Sequence, residues 1–211
     1  LQAKFLDEHE DCALVAHDVQ VLSRETGEVL CETGLNIDVP EVVDMEFLIT
    51  HGCFFVHSSK MYRRSANEGL PRDRHVVDFF MHVHHASRGR IGFINQVLGA
   101  YRRGPGSISN VGSPYFGYVI KGHLAAFELA DRYGVSSALV DRKSANFKYV
   151  HAMLCLRRGD VETFRSLIAL SPREPSSASL RHRFVAASAR QSWLIRLIAR
   201  SLDGFAFVRR R

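Results

Sequence analysis

Asp78, His82 and His85 stand four and three residues apart, which in a helix places all three on one face. A carboxylate and two imidazoles in such a stripe could ligate a metal or relay protons. The plainer alternative is a polar, solvated helix face, opposite apolar Val76, Phe79, Phe80 and Val83. His57 adjoins the hydroxyl pair Ser58 and Ser59, and His51 lies just upstream. Tyr101-Arg102-Arg103 leads into the Gly- and Pro-rich loop 103–107, where planar guanidinium groups could meet phosphate in bidentate fashion, or form only a solvated basic strand end. The segment 193–200 interleaves apolar residues with Arg196 and Arg200, and Arg209, Arg210 and Arg211 follow. Such a pattern suits either a packed core helix or a helix lying on an anionic bilayer.

Composition narrows the chemistry. The chain has 211 residues, 46% hydrophobic and 24% charged, as in a folded domain of one large or two small units. Its net charge is +6, and only five of its 28 basic residues are lysine, so anionic partners are favoured. The arginines are spread along the chain rather than gathered into a stripe, which argues against nucleic acid. Cys12, Cys31, Cys53 and Cys155 are scattered without metal-ligand spacing and read as reduced, mostly buried thiols of a cytoplasmic protein. No uninterrupted apolar run approaches the roughly 18–20 residues needed to span a bilayer. Phosphate-binding P-loop, dinucleotide-binding Gly-rich, Gly-x-Ser-x-Gly and zinc-finger patterns are all missing from the sequence.

The elements that must position these residues follow from periodicity and breakers. Residues 1–9 read as the last turns of an amphipathic helix, and the chain opens on Leu1, so a fragment of a longer protein is expected. The β-branched run Cys12 to Leu22 predicts a buried strand, and Glu25 to Glu28 a turn into Val29-Leu30-Cys31. Pro40 predicts a helix over 42–49, ended by Gly52. Residues 54–64 look extended. A helix is expected to begin within 73–77, run to about Ser87 and stop at Gly89. Two short strands, 91–94 and 96–101, should follow. From Ser113 the pattern turns helical: Ser113-Pro114 and Gly159-Asp160 are start signals, the second for a helix over 161–168. A Pro- and Ser-rich stretch, 171–179, precedes the last apolar helix. The reading is therefore α/β over 1–112 and helical over 113–211.

Over roughly residues 1–110 the order of these pieces resembles the rear half of the catalytic domain of family-2 glycosyltransferases. The matching segments are His57-Ser58-Ser59-Lys60-Met61-Tyr62-Arg63-Arg64, then Asp78, then Gly89-Arg90-Ile91-Gly92-Phe93-Ile94, then Gln96-Val97-Leu98-Gly99-Ala100-Tyr101-Arg102-Arg103, then Ser107-Ile108-Ser109. Leu6-Asp7-Glu8-His9 and Gly27-Glu28-Val29 fit the family's preceding helix and turn. The resemblance implies the rear half of a GT-A, Rossmann-like α/β domain. It also implies inverting transfer of a sugar from a nucleotide-diphospho-sugar donor to a saccharide or lipid-linked acceptor, in cell-envelope or exopolysaccharide synthesis.

Within that family a carboxylate takes the acceptor's proton as its oxygen attacks the anomeric carbon, and Asp78 matches that position. Asp can assist because the hydroxyl becomes acidic as the new C–O bond forms, and a place early in a helix keeps the carboxylate ionised. The acceptor side falls to His57, Ser58 and Ser59, and the leaving diphosphate to Arg102 or Arg103. Gly104 and Pro105 stand where family members often have a His, which weakens a phosphate-facing role for that loop. The family's divalent cation, Mg or Mn, is held by an Asp-x-Asp that these 211 residues do not contain, along with the nucleotide-binding half; this chain by itself is expected to be inactive and to hold no metal. A cytoplasmic location, with peripheral contact to the inner membrane face, completes the expectation. The competing reading is a non-catalytic module whose basic helical tail binds an anionic partner.

Overall fold

The computed structural model describes residues 1–71, 76–104 and 115–170. It is a mixed α/β protein built around one long parallel strand pair. The β-branched run predicted as a buried strand forms β1, Cys12–Ser23. Residues 12–16 are all buried, which for an alternating strand means that both faces are covered. β1 runs parallel to β5, Arg90–Arg103. The opposite edge of β1 is shared by two antiparallel partners: β4, Lys60–Tyr62, beside Leu14 to Ala16, and β2, Val29–Cys31, beside Val21 and Leu22. A two-residue strand β3, Val42–Val43, pairs antiparallel with β5 at Ile91 and Gly92.

Helix α1, Gln2–Glu8, buries Phe5 and Leu6 in a small core with Cys12 and Val15. It can lie so close to the sheet because β5 carries Gly92 there: a Cβ at that position would stand 2.2 Å from Phe5 Cε1. Arg63 binds α1 to β1, donating from Nε to the Cys12 carbonyl at 2.9 Å and from Nη2 to the carbonyls of Leu6 and His9.

Several expectations change. Residues 42–43 are strand rather than helix, and α2, Met45–His51, starts only after Asp44, whose carboxylate accepts from Phe47 N at 2.8 Å. The β-branched pair Val42-Val43 prefers the open edge of β5, and Asp44 is a better helix start than Pro40. Gly52, at φ +76, ends α2 as predicted. Residues 54–64 are not one extended segment, since 3-10 turns at His57–Ser59 and Arg64–Asn67 leave only β4 as strand. The two short strands merge into β5, and the predicted break survives as a bulge: His17 pairs with Ile94 but Asp18 with Val97, so Asn95 and Gln96 are extra on β5.

Helix α3, Asp78–Ala86, begins at Asp78, just after its expected starting segment, of which residues 73–75 lie outside the described residues. Helix α4, Phe116–Arg132, packs on α3, with Phe79 stacked on His123 and edge-on to Phe127. The first compact unit spans Leu1–Val140 and therefore includes α4; the second begins at Asp141. The boundary expected near Gly112, the Ser113-Pro114 start, the loop 105–107 with Ser107 to Ser109, and everything from 171 onward, including the apolar–basic helix, lie outside the described residues.

The chain enters the second unit within α5, Ser137–Arg157. There α6, Val161–Ala169, starts as predicted at Asp160, whose carboxylate accepts from Thr163 N at 3.0 Å after Gly159 turns at φ +78. Its Phe164 and Leu167 are buried, as are Ala152, Cys155 and Leu156 of α5. Among the described residues no helix is long and apolar enough to cross a membrane. Cys12 and Cys155 are buried but Cys31 and Cys53 are exposed, so burial of the thiols holds for half of them.

Candidate functional site

A cavity of about 380 Å³ lies beside the carboxyl-terminal half of β1, bounded by His17, Asp18, Cys53, His57, Asp78 and Tyr101 among others. Crevices of α/β sheets that bind ligands lie toward the carboxyl ends of parallel strands, and this one borders the β1–β5 pair in that direction. Each wall has a local cause. Gly52 ends α2 and turns residues 53–56 along the opening. The 3-10 turn then swings His57 and Ser58 into the lining. Asp78, as the first residue of α3, has no preceding turn to cover it, and its side chain is 70% exposed at the rim.

Asp78 Oδ1 lies 3.4 Å from His57 Nδ1. His57 Nδ1 is itself shielded and makes no aligned hydrogen bond, so the two groups are close without being tied. Behind them His57 stacks parallel to His82 at 5.7 Å between ring centres, and His82 rests against Phe55. His82 is 1% exposed and His85 0%, so the predicted polar stripe is not a solvated face: Asp78 alone meets water, and both imidazoles are core.

Burial first, and the Lys60 ammonium second, lower the pKa values of His57, His82 and His85, the last to about 3; Asp78 acts in the opposite direction on His57. All three rings are neutral at neutral pH. Lys60 is itself lowered to about 8 by burial, partly offset by the charge of Asp78. Its Nζ donates to His85 Nδ1 at 3.5 Å, His85 Nε2 donates to Asn67 Oδ1 at 2.8 Å, and Tyr62 stacks on the His85 ring. That chain fixes the His85 tautomer with its proton on Nε2.

Cys53 is open to the cavity yet ringed by protein atoms, and the loss of hydration there, reinforced by Asp78, raises its thiol pKa. Its sulfur lies 3.9 Å from His82 Nδ1. A protonated thiol donating to Nδ1 leaves the His82 proton on Nε2, and Nε2 is buried with no hydrogen-bond partner. The site thus carries an unused imidazole N–H behind an exposed carboxylate.

The structure brings together Asp78, His57 and Ser58. Ser59 is not with them: it is 2% exposed, its hydroxyl donates to the Val56 carbonyl at 3.0 Å, and its carbonyl accepts from Gln2 Nε2 at 2.8 Å, so it holds the 3-10 turn to α1. Arg102 and Arg103 are exposed at the end of β5, paired with Leu22 and Ser23, and the cavity lining stops short of them at Tyr101.

Three residues of the site were not singled out from the sequence. Asp18 is 6% exposed, and its carboxylate accepts from the backbone N–H of Val19 at 2.7 Å and of Gly34 at 3.0 Å, and from the Thr33 hydroxyl. One acid inside the apolar run Cys12 to Leu22 was the available signal. Cys53 and Lys60 carried none, being isolated residues whose partners come from elements far along the chain. Among the described residues no group of three or more His, Cys, Asp or Glu is arranged to hold a metal ion. The chain matches no family model, no curated protein and no solved structure.

Proposed function

We propose that this chain forms the acceptor side of an inverting glycosyltransferase resembling family 2, with Asp78 as the general base. The observation that carries the reading is the exposed Asp78 carboxylate at the head of α3, on the rim of a cavity whose neighbouring imidazoles, His57 and His82, are neutral. An acceptor hydroxyl there gives its proton to Asp78 while its oxygen bonds to the anomeric carbon. The nucleoside diphosphate departs from the opposite face of that carbon with the bonding electron pair. The described lining holds no Lys or Arg, which favours a hydroxyl-bearing acceptor group over a phosphate in the cavity itself. His57 and Ser58 are suited to orient it.

On this reading the finer fold is the rear half of a GT-A domain. The donor and its Mg or Mn ion are held by residues other than these 211, and Arg102 or Arg103 meets the leaving diphosphate from outside the cavity. The stereochemistry tests the proposal. With nucleotide-sugar donors and saccharide or lipid-linked acceptors, the complete polypeptide is expected to give a product of inverted anomeric configuration by proton NMR. A product of retained configuration would overturn it.

A further inference from the structure

A second cavity of about 380 Å³ opens in the first unit, away from Asp78, where α3, the end of α4 and the loop at Gly69 meet. Its polar wall is Arg88, Arg132, His84 and Tyr133, and its floor includes Phe80 and Leu129, both buried. We propose that this cavity binds a soluble phosphate monoester carried on a small apolar or aromatic group. The assignment is independent of the transfer reaction.

Two guanidinium groups from different elements converge here, and among the described residues neither is ion-paired, whereas nearby Arg90 has Asp11. Both are held in place through only part of their donor set. Arg88 Nη2 donates to the Glu68 carbonyl at 3.0 Å, and Arg132 Nε donates to the Glu128 carbonyl at 3.4 Å. Their remaining N–H groups are left for an oxyanion, for which guanidinium geometry is well suited. His84 Nε2 donates to the same Glu68 carbonyl at 3.2 Å, which stiffens the wall from beneath.

Gly69, at φ +72, is part of this construction, because a Cβ there would stand 3.0 Å from Arg88 Nη2. A dianionic phosphate accepting from both guanidinium groups gains charge-assisted hydrogen bonds to each. The apolar floor at Phe80 and Leu129 suits the second half of the ligand, which inorganic phosphate lacks.

The 211-residue chain is titrated calorimetrically with phenyl phosphate, inorganic phosphate and benzoate at fixed ionic strength. Phenyl phosphate is expected to bind saturably, and at least about tenfold more tightly than either of the others. Arg88→Gln and Arg132→Gln are each expected to weaken it by about tenfold or more. Arg132→Gln and Arg88→Lys guard against a fold defect, since the first changes an exposed side chain and the second keeps the charge; circular dichroism checks both. No saturable binding, unchanged affinity in both Gln variants, or benzoate binding as tightly as phenyl phosphate would each overturn the assignment.

Discussion

Lys60 adds to burial in keeping the imidazole wall neutral, and its own ionisation is visible in stability. Its folded pKa is near 8 against 10.5 in an unfolded chain, so between those values the unfolded state holds a proton that the folded state has lost. The Lys60 contribution therefore destabilises the fold below about pH 8 and fades as pH rises toward 10.5. Raised thiol pKa values at Cys53 and Cys155 act oppositely above pH 9, which makes the comparison with Lys60→Met cleaner than wild type alone. The urea midpoint of wild type is expected to gain on that of Lys60→Met between pH 8 and 10; a constant difference would contradict the assignment.

On the acid side the lowered His57, His82 and His85 make the unfolded chain the stronger proton binder below pH 6.5. Stability should fall steeply from pH 6.5 downward, and less steeply in His85→Gln. Asp78 was legible because an acid at a helix start stands out against an apolar face. Asp18 was not, since its value lies in partners at Thr33 and Gly34 that no periodicity predicts. Asp18→Ala removes the carboxylate that accepts from the buried Val19 N–H and from the Thr33 hydroxyl, and a loss of about 1–3 kcal/mol by urea denaturation is expected.

At the scale of elements, propensity identified most helices and strands but not their limits. Gly52, Asp160 and the turn before β2 were readable because their residue types enforce the local conformation. The 3-10 turn at His57–Ser59 was not readable: beside the local bonds of Ser59 to the Val56 carbonyl, it is held by Gln2 Nε2 reaching the Ser59 carbonyl from α1, a contact 57 residues away in sequence. The continuity of β5 was hidden for a similar reason, because β1 supplies the pairing that carries the strand across its bulge.

The close approach of α1 to β5 gives the most direct test at this scale. Gly92→Ala drives a methyl group against the Phe5 ring and should cost about 1–3 kcal/mol by urea denaturation, with part recovered when Phe5→Leu is added. Equal losses in the presence and absence of Phe5→Leu would mean that the glycine is required for another reason.

For the molecule as a whole, the mixed α/β character followed from periodicity, while the family-2 resemblance came from the order of several weak motifs. What neither could supply was the three-dimensional sorting of those motifs. Ser59 became a structural contact, His82 and His85 became core, and Asp78 with His57 remained at the cavity. The proposed transfer therefore depends on one carboxylate whose removal should leave the fold intact, since Asp78 is exposed at the start of α3.

Single-turnover transfer by the complete polypeptide, at saturating donor and acceptor, tests it most directly. In Asp78→Asn the rate of the chemical step is predicted to fall by about 10²–10⁴-fold, with acceptor affinity changed little. Transfer at the wild-type rate in that variant would contradict the account.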